Sequence, residues 1–240
     1  MKKELLFLMM ACCLCFAGCK NDDTKEEAKA DVETVEEKSE EAPEEKVEES
    51  TETEKEDLGA AGYGSFKESE IESLINSYYD AYSAGDIDTI KKLAINVSDK
   101  EASYIQMISE YYDKAHIEKL IYSDGADENA VCVGVICEIK FSEVEKEAPG
   151  LDFFYIERID DKLVIDSTYC AFNSTYQAIP VDDKIQECID DYVADEDFLA
   201  LSMEVDERYS TFVEGYPEYN EFIEGTLTDA LIEWNDQYNN

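Results

Sequence analysis

The fold is decided by residues 131–141, which read Val-Cys-Val-Gly-Val-Ile-Cys-Glu-Ile-Lys-Phe. Apolar side chains recur there at every second position from Val131 to Phe141. A period of two is typical of a β-strand that turns one face toward a core. The side chains of the opposite face are Cys132, Gly134, Ile136, Glu138 and Lys140.

Three more segments around this strand show strand-like patterns: 116–122, 153–159 and 163–169. Short polar links such as Asp160-Asp161-Lys162 join consecutive segments, which predicts an antiparallel meander. The dipeptide Pro149-Gly150 is expected to break the chain before the third strand.

A helical period replaces the alternation on both sides of the meander. Before it, apolar spacing and two capping-box patterns, Ser65 with Glu68 and Ser98 with Glu101, predict helices at 67–83, 87–96 and 99–113. After Pro180 the period predicts an acidic helical extension. Helices grouped on either side of consecutive strands indicate an α+β fold.

The N-terminus has the pattern of an export signal. Lys2 and Lys3 precede an apolar run, Leu5 to Phe16, that is too short to span a bilayer. The run ends in Phe16-Ala17-Gly18-Cys19, which resembles a bacterial lipobox and predicts lipidation of Cys19. A plain cleaved signal peptide is the alternative.

The residues after Cys19 predict a disordered spacer. From Lys20 to Asp57 the chain has 18 acids, six lysines and no aromatic residue. Such a segment cannot bury enough apolar surface to offset its ordering entropy. The expected organisation is a signal peptide at 1–18, a lipidated cysteine and acidic tether at 19–64, an α+β domain at 65–176 and a helical extension at 177–240.

The net charge of the whole chain is −40, from 60 acidic and 20 basic residues. A surface this acidic repels phosphate, which excludes nucleic acid as a partner. The lipid anchor would place the protein on the extracytoplasmic side of the cell membrane.

The segment from the first helix through the meander resembles the nuclear transport factor two-like superfamily. The resemblance is carried by the aromatic helix Ile71 to Tyr82, then Ala84-Gly85-Asp86, then the short helix Ile87 to Leu93. It implies a cone, in which a curved antiparallel sheet wraps around the first helix. The acidic extension is similar to the C-terminal helices of bacterial surface lipoproteins of this type. A dimer through the outer face of the sheet is also implied.

Catalytic members of that superfamily line the cone with a tyrosine and an aspartate or histidine, and they transfer protons next to a carbonyl. The residues here that could do so are Tyr78, Tyr82, Tyr112, His116 and Asp166. Tyrosines at helical spacing are more often core residues, and Asp166 more often a solvent-facing position. Tyr78, Tyr82, Tyr112 and His116 are the candidate ligand-binding residues, and no residue is assigned a catalytic role.

No metal site or cofactor is predicted, because the acidic loops lack the spacing of a calcium loop and no His/Cys cluster is present. The predicted folded part contains four cysteines. Cys132 and Cys137 point to opposite faces of one strand and cannot pair, whereas Cys170 and Cys188 could bridge the extension to the sheet. Four buried free thiols are the alternative.

Three functions fit these patterns. A membrane-anchored, non-catalytic domain that binds a small ligand or an envelope protein is favoured, since 16 tyrosines offer apolar faces with polar tips. An isomerase or dehydratase with a tyrosine and an acid in the cone is the alternative. A structural partner would instead expose an apolar patch around Phe222, Ile223 and Trp234.

Overall fold

The computed structural model describes residues 66–239 of the chain. The expected signal peptide at 1–18, the lipidation of Cys19 and the tether at 19–64 lie outside the described residues.

Three helices open the described part: α1 at Glu68–Ser83, α2 at Ile87–Leu93 and α3 at Asp99–Ile108. Asp86 caps α2 by accepting a hydrogen bond of 3.0 Å from the backbone N–H of Thr89. Both α2 and α3 end earlier than the sequence predicts, because Ala94 and Ile95 join the sheet after α2 and a turn at 109–111 leads from α3 into β2 at Tyr112.

The sheet has five strands in the order β1-β5-β4-β3-β2. Their bounds are β1 Ala94–Ile95, β2 Tyr112–Asp124, β3 Ala130–Phe141, β4 Ala148–Ile159 and β5 Lys162–Asp166. Strands β2 to β5 form the expected antiparallel meander, and the two-residue β1 adds a parallel pairing to β5.

Pro149 and Gly150 lie inside β4, so the predicted chain break there is wrong. They pair with Glu138 and Cys137 of β3. On the other side of β4, the short β5 reaches only Ile156 to Ile159. The first half of β4 is therefore an edge, where a proline costs the sheet no ladder hydrogen bond.

Both faces of β3 and β4 are buried, whereas most of the edge strand β2 is exposed or half-buried. The inner face packs on α1, and its strand residues are Val131, Val133, Val135, Cys137, Ile139, Phe154, Ile156 and Ile165. The outer face carries Cys132, Ile136, Leu151, Phe153 and Tyr155. The alternation that predicted opposite directions for Cys132 and Cys137 is confirmed.

The C-terminal segment covers the sheet with further helices. A 3-10 turn at Ser167–Tyr169 leads to α4 Ala171–Tyr176, α5 Asp183–Val193, α6 Glu196–Gly215 and α7 Pro217–Glu221. A π-helical segment at Phe222–Leu227 continues into α8 Thr228–Tyr238.

Helices α5 and α6 bury the outer face through Ile189, Tyr192, Phe198 and Val205. The fit is closest at Gly134, whose N–H donates a 3.1 Å hydrogen bond to the hydroxyl of Tyr192. A Cβ at this position would lie 2.8 Å from that hydroxyl oxygen, so a side chain there would force the ring of Tyr192 to shift. The part of the outer face formed by β3 and β4 is thus covered by the chain itself.

The end of the chain packs against the inner core. Phe222, Ile223 and Trp234 are 5%, 8% and 7% exposed, so the apolar patch expected of a structural partner is wrong. Trp234 lies between the rings of Tyr104 and Tyr176, with centroids at 5.4 and 5.7 Å. The extension therefore completes the core instead of standing apart from it.

These elements confirm the α+β class, with an antiparallel meander packed on N-terminal helices and a C-terminal helical extension. Among residues 66–239, no helix has the length and apolar character needed to cross a membrane.

Candidate functional site

A cavity of about 330 Å³ lies between the inner face of the sheet and the helices that cover it. Helices α1 and α3 form one wall, β3 and β4 the floor, and the segment from α6 to the π-helical turn the cover. The lining is rich in aromatic residues, with seven tyrosines and four phenylalanines: Tyr78, Tyr79, Tyr82, Tyr104, Tyr112, Tyr209, Tyr219, Phe141, Phe153, Phe154 and Phe172.

The three tyrosines proposed from the sequence lie together in this wall. The ring of Tyr82 is 6.0 Å from that of Tyr78 and 5.4 Å from that of Tyr112, measured between centroids. Tyr78 also meets Phe154 of the floor edge-on, at 5.6 Å. These contacts hold the rings in place, so the wall is formed before any ligand enters.

The fourth candidate, His116, lies elsewhere. It is an exposed residue of β2, opposite Glu138 of β3, and it is not among the residues that line the cavity.

Asp166 is not the solvent-facing residue that the sequence suggested. It is 6% exposed, and its carboxylate accepts hydrogen bonds from the N–H of Thr168 at 2.9 Å and from Nδ2 of Asn96 at 3.0 Å. These contacts cap the turn after β5 and tie it to the loop after β1. Asp166 therefore has a structural role.

The polar group of the floor is a tyrosine–aspartate pair that the sequence analysis missed. The hydroxyl of Tyr79, on α1, donates a hydrogen bond of 3.1 Å to Oδ2 of Asp152, on β4. The other carboxylate oxygen accepts a hydrogen bond of 2.8 Å from the N–H of Phe153. A side-chain acid and a tyrosine hydroxyl thus meet at the bottom of the cavity.

Burial sets the protonation of this pair. Although part of Asp152 is exposed, its carboxyl is surrounded by protein, and burial raises its pKa from 3.8 to about 6. The two hydrogen bonds oppose that rise, because they stabilise the charged form. Burial and the nearby Asp152 carboxylate raise the pKa of Tyr79 well above 10, so its hydroxyl keeps its proton near neutral pH.

A second buried acid lies at the α3 side of the cavity. Glu101 is 3% exposed, and burial raises its pKa from 4.5 to about 7, against opposing hydrogen bonds that include one from the thiol of Cys170. That sulfur is 3.6 Å from Oε1 of Glu101. The predicted capping box is confirmed, because the N–H of Glu101 donates to Oγ of Ser98 at 3.0 Å and the carboxylate accepts from the N–H of Ser98.

The sequence contained a signal for each missed residue. Tyr79 follows Ile71 and Ile75 at intervals of four, so it shares their face of α1. Asp152 precedes Phe154 by two, which places both on the inner face of β4. The assumed break at Pro149-Gly150 concealed the second signal.

The four cysteines among residues 66–239 are free thiols. The bridge considered between Cys170 and Cys188 is absent, since Cys170 contacts Glu101 on the inner side and Cys188 packs against the outer core. The thiol of Cys188 instead donates a hydrogen bond of 3.4 Å to the backbone carbonyl of Asp124 and packs against the outer core cluster that contains Cys132.

Within residues 66–239, no group of three or more His, Cys, Asp or Glu side chains is placed to hold a metal ion. A second cavity of about 710 Å³ shares Asp152 and Cys170 with the first and extends between β4, α4 and α5. The arrangement can enclose a small, mostly apolar molecule and offer it an acid–hydroxyl pair.

No protein-family model matches the chain, and a comparison with curated proteins also finds no match. Several solved structures are similar at low identity. One is a protein of unknown function from Mycobacterium tuberculosis, 11% identical, with a TM-score of 0.37 over 64% of this chain and 95% of that one.

Two others are described as proposed polyketide cyclases. The one from Xanthomonas campestris is 12% identical, with a TM-score of 0.25 over 46% of this chain and 98% of that one. The one from Pseudomonas putida is 15% identical, with a TM-score of 0.25 over 44% of this chain and 96% of that one. At such TM-scores these likenesses carry no argument, and the α+β class rests on the sheet and helices of the chain itself.

Proposed function

We propose that this protein is an extracytoplasmic lipoprotein, anchored through Cys19, whose α+β domain binds a small, mostly apolar molecule. The observation that carries the binding role is the 330 Å³ aromatic cavity with the Tyr79–Asp152 pair at its floor. Ligand sites are typically concave and apolar, with a few fixed polar groups and shifted pKa values.

Native mass spectrometry of the full-length protein, purified in detergent from its host, tests the binding role. The variant Val213→Trp adds a large side chain to the cavity lining on α6, whereas Met203→Trp adds the same side chain where the native residue is 71% exposed. We expect a bound small molecule in the parent and in Met203→Trp but not in Val213→Trp. A parent without any bound molecule, or equal occupancy in all three, contradicts the binding role.

The anchor has a separate test. Metabolic labelling with an alkynyl palmitate should label the parent and not a Cys19→Ser variant. Label that persists in the variant would contradict acylation at this position. The sequence around Cys19 supports the anchor, and two acyl chains are enough for stable attachment.

A second function, proton transfer next to a carbonyl, is favoured by one observation: the acid and the tyrosine hydroxyl are 3.1 Å apart in the cavity. The ionised Asp152 would take a proton from the carbon beside a carbonyl, and the electron pair of that C–H bond would form an enolate. Once Asp152 has taken the proton, the hydroxyl of Tyr79 would turn from that carboxyl and donate its hydrogen bond to the enolate oxygen. Return of the proton from Asp152 to another carbon of the enolate would give an isomer.

Conversion of 3-cyclohexen-1-one to its conjugated isomer, followed by NMR, tests this second function. We expect the rate to rise as pH increases through about 6, the pKa of Asp152, and to be lost in Asp152→Asn. A rate equal to that of buffer alone would reject proton transfer on this ketone class and leave the binding role in place.

A further inference from the structure

The charged residues that line the cavity are all acidic. Three acidic residues line it, Glu101, Asp152 and Glu224, whereas its described lining includes no lysine, arginine or histidine. Glu224 is exposed at the cover, and the other two lie deeper. A negatively charged ligand would therefore meet only like charges, and the net charge of −40 on the chain adds to that repulsion.

The two deeper carboxyls have no basic partner within residues 66–239. The ion pairs among the described residues include neither Glu101 nor Asp152. Their hydrogen bonds come from uncharged groups: the hydroxyl of Tyr79, the thiol of Cys170 and backbone N–H groups. A buried carboxylate without a counter-ion is costly to ionise, so a cation that enters the cavity would gain the interaction that the protein does not supply.

The aromatic wall favours the same kind of ligand. The face of an aromatic ring attracts a cation, and a set of rings around a desolvated ammonium is a recurrent way to bind amines. Tyr78, Tyr82 and Tyr112 lie in contact with one another in this wall and can supply such faces. The same rings can also pack against the apolar body of a ligand.

From these features we propose that the cavity binds a small organic cation, an ammonium group on an apolar or aromatic body. The ammonium would lie between the carboxyls and the ring faces, and the apolar body would fill the remaining space. This inference rests on the proposed binding role and names its ligand class.

Three indoles of similar size and different charge make the test: tryptamine as the cation, tryptophol as the neutral molecule and indole-3-propionate as the anion. Binding to the full-length protein in detergent is measured by isothermal titration at pH 8, with a detergent-only titration subtracted. We expect tryptamine to bind at least about tenfold more tightly than tryptophol, which corresponds to about 1.4 kcal/mol, and indole-3-propionate to bind most weakly.

Variants that neutralise one carboxyl of the cavity test whether the preference for tryptamine depends on that carboxyl. Glu101→Gln and Asp152→Asn should each reduce the tryptamine preference several-fold. The control Glu187→Gln removes the same charge from an exposed position outside the cavity and should leave the preference unchanged. An equal loss in the control would show that general charge, not the cavity, selects the cation, and it would overturn the inference.

The remaining outcomes separate this inference from the binding role. Equal or tighter binding of tryptophol or indole-3-propionate overturns the cation preference and leaves a binding domain. Another outcome is that none of the three indoles binds but that Val213→Trp loses a co-purified molecule. In that case a cationic molecule supports the inference, and a neutral or anionic molecule overturns it. If nothing binds in either experiment, both proposals fail.

Discussion

The hydroxyl of Tyr79 lies 3.1 Å from Oδ2 of Asp152, so one hydrogen bond joins the first helix to the third strand of the meander across 73 residues of sequence. The bond stabilises the charged form of a buried carboxyl, and it places a proton donor and an acceptor side by side at the floor of the cavity. The same contact thus holds α1 on the sheet and sets the chemistry of the site.

Tyr79→Phe should destabilise the protein more at pH 8 than at pH 5. Burial raises the pKa of Asp152 to about 6, so its carboxyl is mostly ionised at the higher pH and mostly protonated at the lower. Loss of the hydroxyl leaves the ionised form with one fewer donor, and we expect a cost of about 1–3 kcal/mol at pH 8. Urea unfolding at both pH values measures it.

The control is Tyr238→Phe, which removes a hydroxyl from a side chain that is 42% exposed. It should change the free energy of unfolding by less than about 0.5 kcal/mol at either pH. A cost for Tyr79→Phe that does not depend on pH would show that the hydroxyl does not act on a titrating carboxyl.

Glu101→Gln should make stability less sensitive to pH. Burial raises the pKa of Glu101 from 4.5 to about 7, so the folded protein binds more protons than the unfolded chain between these values. Stability contributed by this group is therefore full below about pH 4.5 and falls as pH rises toward 7. The shift corresponds to a loss on the order of 3 kcal/mol, which the glutamine variant should avoid at pH 8.

Urea unfolding of the parent and the variant from pH 4 to pH 8 gives this comparison, with Glu187→Gln as the control for general charge repulsion. The difference between parent and Glu101→Gln should grow with pH, whereas the difference for the exposed Glu187 should stay small. Parallel stability curves for the parent and Glu101→Gln would contradict a raised pKa at Glu101.

The elements of this fold could be predicted from local patterns, and the polar site could not. Alternation from Val131 to Phe141 located β3, and helical spacing located α1, because both periods follow directly from backbone geometry. The Tyr79–Asp152 contact depends on how α1 crosses the sheet, which no local period specifies. A single misread dipeptide, Pro149-Gly150, removed Asp152 from its strand, since proline breaks central strands but not edges.

The helical extension illustrates the same limit. Its apolar residues were recognised, but Phe222 and Trp234 could face a partner or the chain's own core with the same sequence pattern. Only the packed structure distinguishes packing against a partner from packing against the chain's own core, because a 3.6-residue period shows which residues share a helix face and not what that face contacts.

The first disulfide to form under oxidation should link Cys132 and Cys188, not Cys170 and Cys188. Cys188 packs against the outer core cluster that contains Cys132, whereas Cys170 lies against Glu101 near the inner core. Burial raises the pKa of the Cys132 and Cys188 thiols, so few thiolates are present at neutral pH and exchange with oxidised glutathione should be slow.

Peptide mapping by mass spectrometry without reduction, before and after incubation with oxidised glutathione, identifies the bridge. The variant Cys188→Ser should abolish it, and Cys170→Ser should not. A bridge that contains Cys170 in the folded protein would contradict the placement of Cys170 against Glu101, away from the other thiols.

Trp234→Ala should destabilise the whole domain, not only the end of the chain. The indole is 7% exposed, contacts the rings of Tyr104 and Tyr176, and donates a hydrogen bond of 3.0 Å from Nε1 to Oγ of Ser103. Loss of a buried tryptophan typically costs about 3–5 kcal/mol. Leu199→Ala, where the native side chain is 44% exposed, is the control and should cost little.

Thermal unfolding followed by far-UV circular dichroism measures the cost, and amide hydrogen exchange shows where it acts. If α8 completes the core, Trp234→Ala lowers the midpoint of the single transition and speeds exchange in α3 and β3 as well as in α8. Faster exchange restricted to residues after Gly215, with an unchanged midpoint, would mean that the extension folds as a separate unit. In that case the cover over the cavity would open independently of the rest, since Tyr219 and Ile223 of the same segment line it.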